Sequence, residues 1–262
     1  MKKDIEEKTD LFIDITERKD EIQRVMEKKN LELQHANEEL SQFAYRTSHD
    51  LRAPMKTIQS YARHIEKNIA TGNLDEAKLN LRKIIEQTKK LDLLVEDILN
   101  LAIADLKETE NELIDFNTII DTIKERLSDL ISTNHVVIST DVKLTAPYYS
   151  NTLRITQILE NLISNGIKYC HPGRPHKFVN IYISEQEEEI LIKIEDNGLG
   201  IPKEHQTEVF KMFTRFHPKV SFGSGLGMSI VKKNLDKLGA KINVTSTEAG
   251  TLLEIWLPKG KE

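Results

Sequence analysis

The sequence predicts an α+β protein: a hairpin of two long helices that pairs with a second copy into a dimeric four-helix bundle, followed by a two-layer α/β sandwich. Three observations carry this. Apolar residues recur at alternating steps of three and four from Ile22 to Ala102. One interruption, Thr71-Gly72-Asn73, divides that run in two. Past Glu108 the pattern changes to short apolar runs and short helical periods separated by turn residues.

In chain order, residues 1–20 by themselves read as an ordinary charged helix start, with Asp14 or Thr16 as N-cap. The first long helix is expected from about Glu17 to Ala70, roughly 80 Å at 1.5 Å per residue. Its seam is Ile22, Met26, Leu33, Ala36, Leu40, Phe43 and Thr47, with Lys29 as the polar exception, then Leu51, Met55, Ile58, Ala62, Ile65 and Ile69. Two successive steps of four between Thr47 and Met55 make a stutter, which locally unwinds a supercoil. The second helix, Leu74 to about Lys107, carries Ala77, Leu81, Ile84, Thr88, Leu91, Val95, Ile98 and Ala102. Two such helices cannot bury both stripes alone, so residues 21–107 are expected to form a homodimer through the bundle. A monomeric hairpin packed on the following domain is the alternative.

Residues 108–262 supply the sandwich. Helices are expected at Asn117–Leu130, Thr152–Tyr169 and Leu226–Leu238. Strands are expected at Val136–Val142, Phe178–Ser184, Ile190–Asp196, Ile242–Ser246 and Thr251–Leu257, with Trp256 in the core.

Composition narrows the class. The 262 residues suit two domains. A net charge of −5 with 30% charged residues gives no sign of a nucleic-acid partner. The single cysteine, Cys170, excludes an internal disulfide framework and fits a reducing cytoplasm. No apolar stretch approaches the ~20 residues that span a bilayer and no signal peptide opens the sequence, so no membrane contact is expected within it, whatever lies upstream.

Within the first helix, His49 falls off the apolar seam, so its imidazole should face solvent beside Asp50. Pro54 follows, although a proline in a helix interior costs ~3 kcal/mol and has no N–H for the carbonyl of Asp50. A titratable ring, an adjacent carboxylate and a weakened backbone coincide at a place where the helix can bend, and no apolar gain at Pro54 compensates, so something other than packing keeps it.

Three clusters in the second domain suit a nucleotide. Asn161, Asn165 and Lys168 lie at steps of four and three on one helix face, where two amides and an amine suit hydrated Mg²⁺ and the phosphates it bridges. Asp196 ends a strand, where a carboxylate can accept a hydrogen bond from the exocyclic amine of adenine, while Gly198 and Gly200 let backbone approach the ring. Gly223, Gly225, Leu226 and Gly227 lead into a helix N-terminus, a phosphate cradle that is neither a Walker loop nor a dinucleotide fingerprint.

Ser48-His49-Asp50-Leu51-Arg52-Ala53-Pro54 resembles the H box of sensor histidine kinases. The three clusters, with Glu208-Val-Phe210-Lys-Met-Phe213-Thr-Arg215-Phe216, resemble the N, G1, F and G2 boxes of their catalytic domain, a GHKL-type ATPase. The resemblance runs from Asn37 to the end, with the boxes in family order. It implies that His49 accepts the γ-phosphate of ATP and passes it to an aspartate of a response-regulator receiver, with Asp50 orienting the ring and taking its proton. It further implies Asn165 as Mg²⁺ ligand supported by Asn161, Lys168 on phosphate, Tyr169 against the nucleoside and Asp196 reading adenine. Arg215 would lie near the γ-phosphate, Thr251 at the adenine end, and Pro202 to Phe222 would form a mobile lid anchored by Phe210 and Phe213. Phe12 to Lys19 resembles the exit of a PAS domain, which implies an upstream sensor. A mechanical GHKL ATPase would share the nucleotide clusters without the histidine helix, and a silent scaffold would lack them. One departure stands out: the residue four beyond the histidine, a threonine or asparagine in strong phosphatases of this family, is Ala53, which implies weak phosphatase activity.

Overall fold

The computed structural model describes residues 2–106, 110–217 and 224–259, which divide into two compact units, 1–53 and 54–262. Helix α1 spans Lys2–Ala70 and includes Pro54. It begins well before Glu17, so neither Asp14 nor Thr16 caps it. The early residues are rich in Glu, Lys and Asp and contain no Gly or Pro, so nothing stops the helix there.

The turn after α1 follows from three residues. Gly72 takes φ +74°, its N–H bonds the Ile69 carbonyl at 3.1 Å, and the Asn73 N–H reaches back to Asn68 at 2.8 Å. This pairing satisfies carbonyls that the helix end would leave orphaned. Asn73 then accepts from the Glu76 N–H at 3.3 Å, capping α2, Leu74–Leu106.

The apolar stripe of α2 has two edges. Ala77, Asn80, Leu94 and Leu101 are buried within the second unit, whereas the expected seam residues Leu81 and Val95 are 51% and 39% exposed. On α1, Met55 and Ile69 are likewise exposed. The stripe is wider than one intrachain contact can cover, so the chain buries one edge and leaves the other bare.

The rest of the second unit is a mixed sandwich. A two-residue strand β1, Glu112–Leu113, precedes α3, Phe116–Arg126, whose N-cap Asp115 accepts from the N–H groups of Asn117 and Thr118. The helix expected over 117–130 divides at Leu127 (φ −92°, ψ 7°), giving α4, Ser128–Asn134, which ends at left-handed His135. Then follow β2 (Val136–Lys143), the short β3 (Tyr149–Ser150, paired with β1), α5 (Thr152–Lys168), β4 (Lys177–Glu185) and β5 (Glu189–Asp196). A 3-10 turn, Lys203–Glu208, leads towards α6 (Gly227–Lys237), β6 (Lys241–Thr247) and β7 (Gly250–Pro258). The five-stranded sheet has the order β2-β4-β5-β7-β6, parallel only between β2 and β4.

Period-two alternation fixes which side chains enter the core. Ile181 and Ile183 of β4, Ile192 and Ile194 of β5, and Ile255 and Leu257 of β7 are buried in one cluster with α3, α5 and α6. Trp256, expected in the core, lies between Ile255 and Leu257 and therefore points to the other face, partly covered, with Leu191 as its cross-strand partner.

Leu159 is fully buried in the centre of α5. Leu159→Ala is expected to cost ~2–5 kcal/mol, the transfer energy plus the cavity left behind. A denaturant titration of the chain should show a correspondingly lower midpoint for the sandwich.

Candidate functional site

Helix α5 builds one wall of a cavity in the second unit. Asn151 caps it by accepting from the Arg154 N–H at 3.0 Å, and Ile158, Leu159, Leu162, Ile163 and Ile167 bury its apolar face. That packing turns Asn161, Asn165, Lys168 and Tyr169 to the cavity. Asn161 donates to the Gln157 carbonyl at 2.8 Å, leaving its amide oxygen facing Gly227, where an added Cβ would lie only 2.6 Å away. The Asn165 amide and the Lys168 ammonium have no hydrogen-bond partner among the described residues. An unpaired amide and an unpaired amine on a cavity wall suit a hydrated divalent cation and phosphate oxygens.

Asp196 forms the opposite end. Burial lifts its carboxyl to about 6, against the Gly198 and Thr251 N–H groups and Arg174, which pull it down. The Gly198 N–H reaches Asp196 Oδ1 at 2.8 Å. Thr251 is buried beside it, with Ser246 Oγ 2.9 Å from its hydroxyl, and Ser246 also accepts from the Ile201 N–H at 2.8 Å. Because the carboxyl is harder to ionise folded than unfolded, it favours the folded state at low pH. That contribution is lost as pH rises through about 6.

Gly200, Gly225 and Gly227 line the cavity, as do Thr251 and Arg215. Gly198 and Leu226 do not. Gly198 sits behind Asp196, bridged to Cys170, and the side chain of Leu226 is fully buried in the protein. The Phe213 N–H bonds the Gly225 carbonyl at 2.9 Å, tying the expected lid to the glycine loop. Gly223 and residues 218–222 lie outside the described residues.

Among the cavity residues to which the sequence reading gave no role of their own are Asp97, His217 and Ser224, the last two within the expected lid and glycine loop. Ser224 donates to Asp97 Oδ2, and burial raises the Asp97 carboxyl. Burial lowers the ammonium of Lys168, which Asp97 and Glu160 partly counter. Asp97 belongs to α2 and has no local signature; only the packing of Leu94 and Leu101 brings it there. His217 bonds the Gly200 carbonyl at 2.8 Å and lies 6.1 Å, ring to ring, from Tyr169.

His49 and Asp50 belong to the first unit. The imidazole is 71% exposed, and its Nδ1 lies 3.2 Å from Asp50 Oδ1. Ala44, Tyr45, Ser48 and Arg52 surround it in a shallow depression.

Comparison with known proteins matches two family models. "His Kinase A (phospho-acceptor) domain" covers residues 39–107, and "Histidine kinase-, DNA gyrase B-, and HSP90-like ATPase" covers residues 150–261. The sensor histidine kinase WalK of Bacillus subtilis is 31% identical over 88% of this chain and 38% of its own length. The solved structure of the histidine kinase AdeS of Acinetobacter baumannii is 25% identical, with a TM-score of 0.64 over 81% of this chain and 98% of that one. The histidine kinase ThkA, solved in complex with the response regulator protein TrrA, shares the fold at 18% identity, with a TM-score of 0.65 over 84% of this chain and 61% of that one. The chain spans about a quarter to just under half the length of the curated relatives it matches. Among the described residues, no helix is long and apolar enough to cross a membrane.

Asp97 places negative charge where Lys168 would meet a phosphate. Asp97→Asn keeps the shape and removes the charge, so nucleotide affinity should rise about 3- to 10-fold. Calorimetric titration with a non-hydrolysable ATP analogue reads this directly. Unchanged affinity would mean that Asp97 does not compete.

Proposed function

The chain belongs to the sensor histidine kinases, and on that premise we propose that it transfers the γ-phosphoryl group of ATP to His49 and then to an aspartate of a response-regulator receiver. The observation that carries the proposal is the pairing, in one chain, of an exposed His49-Asp50 dyad with the Asn161-Asn165-Lys168 wall facing Asp196. A GHKL ATPase doing mechanical work would need the wall but not the dyad.

With its proton on Nδ1 and directed at Asp50, the imidazole presents the Nε2 lone pair to the γ-phosphorus. Nε2 bonds to phosphorus, the bond to the bridging oxygen of ADP breaks, and the Nδ1 proton of the resulting cation passes to Asp50. Lys168 and Arg215 neutralise the phosphate oxygens, so catalysis is positioning plus charge stabilisation. Asn165, supported by Asn161, would hold Mg²⁺, which would supply charge neutralisation to the phosphates. Asp196 accepts from the adenine amine and Tyr169 flanks the nucleoside. Residues 21–107 serve as the dimerisation and phosphotransfer domain and 108–262 as the catalytic domain, with an upstream sensor supplying input. The exposed Met55, Ile69, Leu81 and Val95 support pairing with a second copy.

Three outcomes test this reading. His49→Gln should abolish incorporation of label from γ-labelled ATP while ATP binding persists, and retained acid-labile label would sink the assignment. Asn165→Ala should weaken Mg²⁺-dependent ATP binding about 10- to 100-fold, and chelation should have the same sense. Affinity for ATP should rise about tenfold from pH 5 to pH 7 as Asp196 ionises through about 6; Asp196→Asn should flatten that rise and remove the preference for ATP over GTP.

The phosphatase direction is expected to be weak, because a methyl group at Ala53 cannot guide a water molecule. In a His49→Gln background with ADP and Mg²⁺, Ala53→Thr should speed loss of phosphate from a phosphorylated cognate receiver. Rapid loss with Ala53 intact contradicts the idea.

A further inference from the structure

Arg174 lies in the loop between α5 and β4 and is not part of the cavity wall. Its guanidinium nevertheless holds the two segments that form the adenine end. Nη1 donates to the Asn197 carbonyl at 2.7 Å and the Ala249 carbonyl at 2.6 Å, and Nη2 donates to the Glu248 carbonyl at 2.8 Å. Asn197 directly follows Asp196, and Ala249 is two residues before Thr251. Among the described residues no carboxylate pairs with this arginine, so its charge is answered by three backbone dipoles.

The two segments are in backbone contact. A Cβ added at Gly250 would lie 1.9 Å from the Asp196 carbonyl oxygen and 2.8 Å from Asn197 Cα. Asn197 is held from its other side as well: its side chain donates to the His176 carbonyl at 2.7 Å and accepts from the Phe178 N–H at 2.9 Å. Converging carbonyl dipoles repel one another unless a donor sits between them, and a rigid, planar, always-charged fork suits that place better than an ammonium. The positive charge also opposes the rise that burial imposes on Asp196.

We infer that Arg174 is a positioning residue for base recognition: Asp196 and Thr251 stand opposite one another at the end of the β5–β7 ladder, and by clamping the Asn197 and Glu248-Ala249 carbonyls just beyond it Arg174 holds that end closed and so sets the preference for adenine. This rests on reading the cavity as an ATP site. Arg174 acts through Asp196 and Thr251 and does not touch the nucleotide. Its loss therefore affects binding of the matched base and leaves the phosphate end intact.

The test uses the full chain. Affinities for ATP and GTP are measured by calorimetry, and KM and kcat for autophosphorylation are measured alongside. Arg174→Ala should weaken ATP binding about tenfold, as for a lost charged hydrogen-bond set. GTP affinity should change less than twofold, so the ATP/GTP ratio falls about tenfold, with KM raised and kcat at saturation nearly constant. Arg174→Lys retains charge without the fork and should recover only part of the ratio. Equal losses for ATP and GTP, a fall in kcat at constant KM, or full recovery with lysine would each overturn the inference, the first two marking a merely structural role. Equal binding of ATP and GTP by the unsubstituted chain would overturn the reading of the cavity, and the inference with it.

Discussion

Everything at the cavity depends on the burial of one face of α5 against the sheet. Ile158, Leu159, Leu162, Ile163 and Ile167 are almost wholly removed from water, and each such side chain contributes ~1.5–3 kcal/mol. Rotating the helix to turn Asn161, Asn165 and Lys168 elsewhere would expose that whole set. The polar face therefore points where it does even though desolvation of Lys168 opposes it. A few weak polar groups are held in place by a strong, non-directional term acting on the opposite side of the same helix.

Charge in the cavity is arranged against solvation. Asp196 and Lys168 both lose water, so the carboxyl is pushed up and the ammonium down, each towards its neutral form. A nucleotide bound as proposed would return to each what burial removed: a donor amine for the carboxylate and an anion for the ammonium. Asp97 offers Lys168 a partial substitute for that anion from α2, the second helix of the hairpin. The packing of α2 beside the cavity thus reaches the Lys168 ammonium through one electrostatic contact.

The long helices follow a different logic. Their stripes are too wide for the contacts that one chain makes, with Leu94 and Leu101 covered and Leu81 and Val95 bare. The seam as read in sequence takes in Ala77 with the bare Leu81 and Val95 and passes over Leu94 and Leu101, because a periodicity of three and four does not say how a stripe is divided between neighbours. His49 lies off the apolar stripe of its own helix α1 and is 71% exposed, so its ionisable side chain escapes the cost of burial.

Local chemistry accounts for what was legible before the structure. Gly72 and Asn73 terminate and restart helices through their own backbone and side-chain bonds, and β-strand alternation is a property of consecutive residues. The spacing of Asn161, Asn165 and Lys168, and the off-seam position of His49, are likewise consequences of helical geometry alone. Trp256 was misplaced because hydrophobicity says nothing about which face of a strand a residue takes; Ile255 and Leu257 decide that by entering the core. Asp97, Ser224 and the clamp at Arg174 could not be read from sequence at all. Asp97 is 127 positions from Ser224, and Arg174 is 74 and 75 positions from the Glu248 and Ala249 carbonyls that it holds beside that of Asn197. The sequence by itself determined most of the helices and strands and the shared face of Asn161, Asn165 and Lys168, because those depend on near neighbours. Only the tertiary structure decided which distant charges and carbonyls surround them, because such contacts exist only once the sheet and α5 have packed.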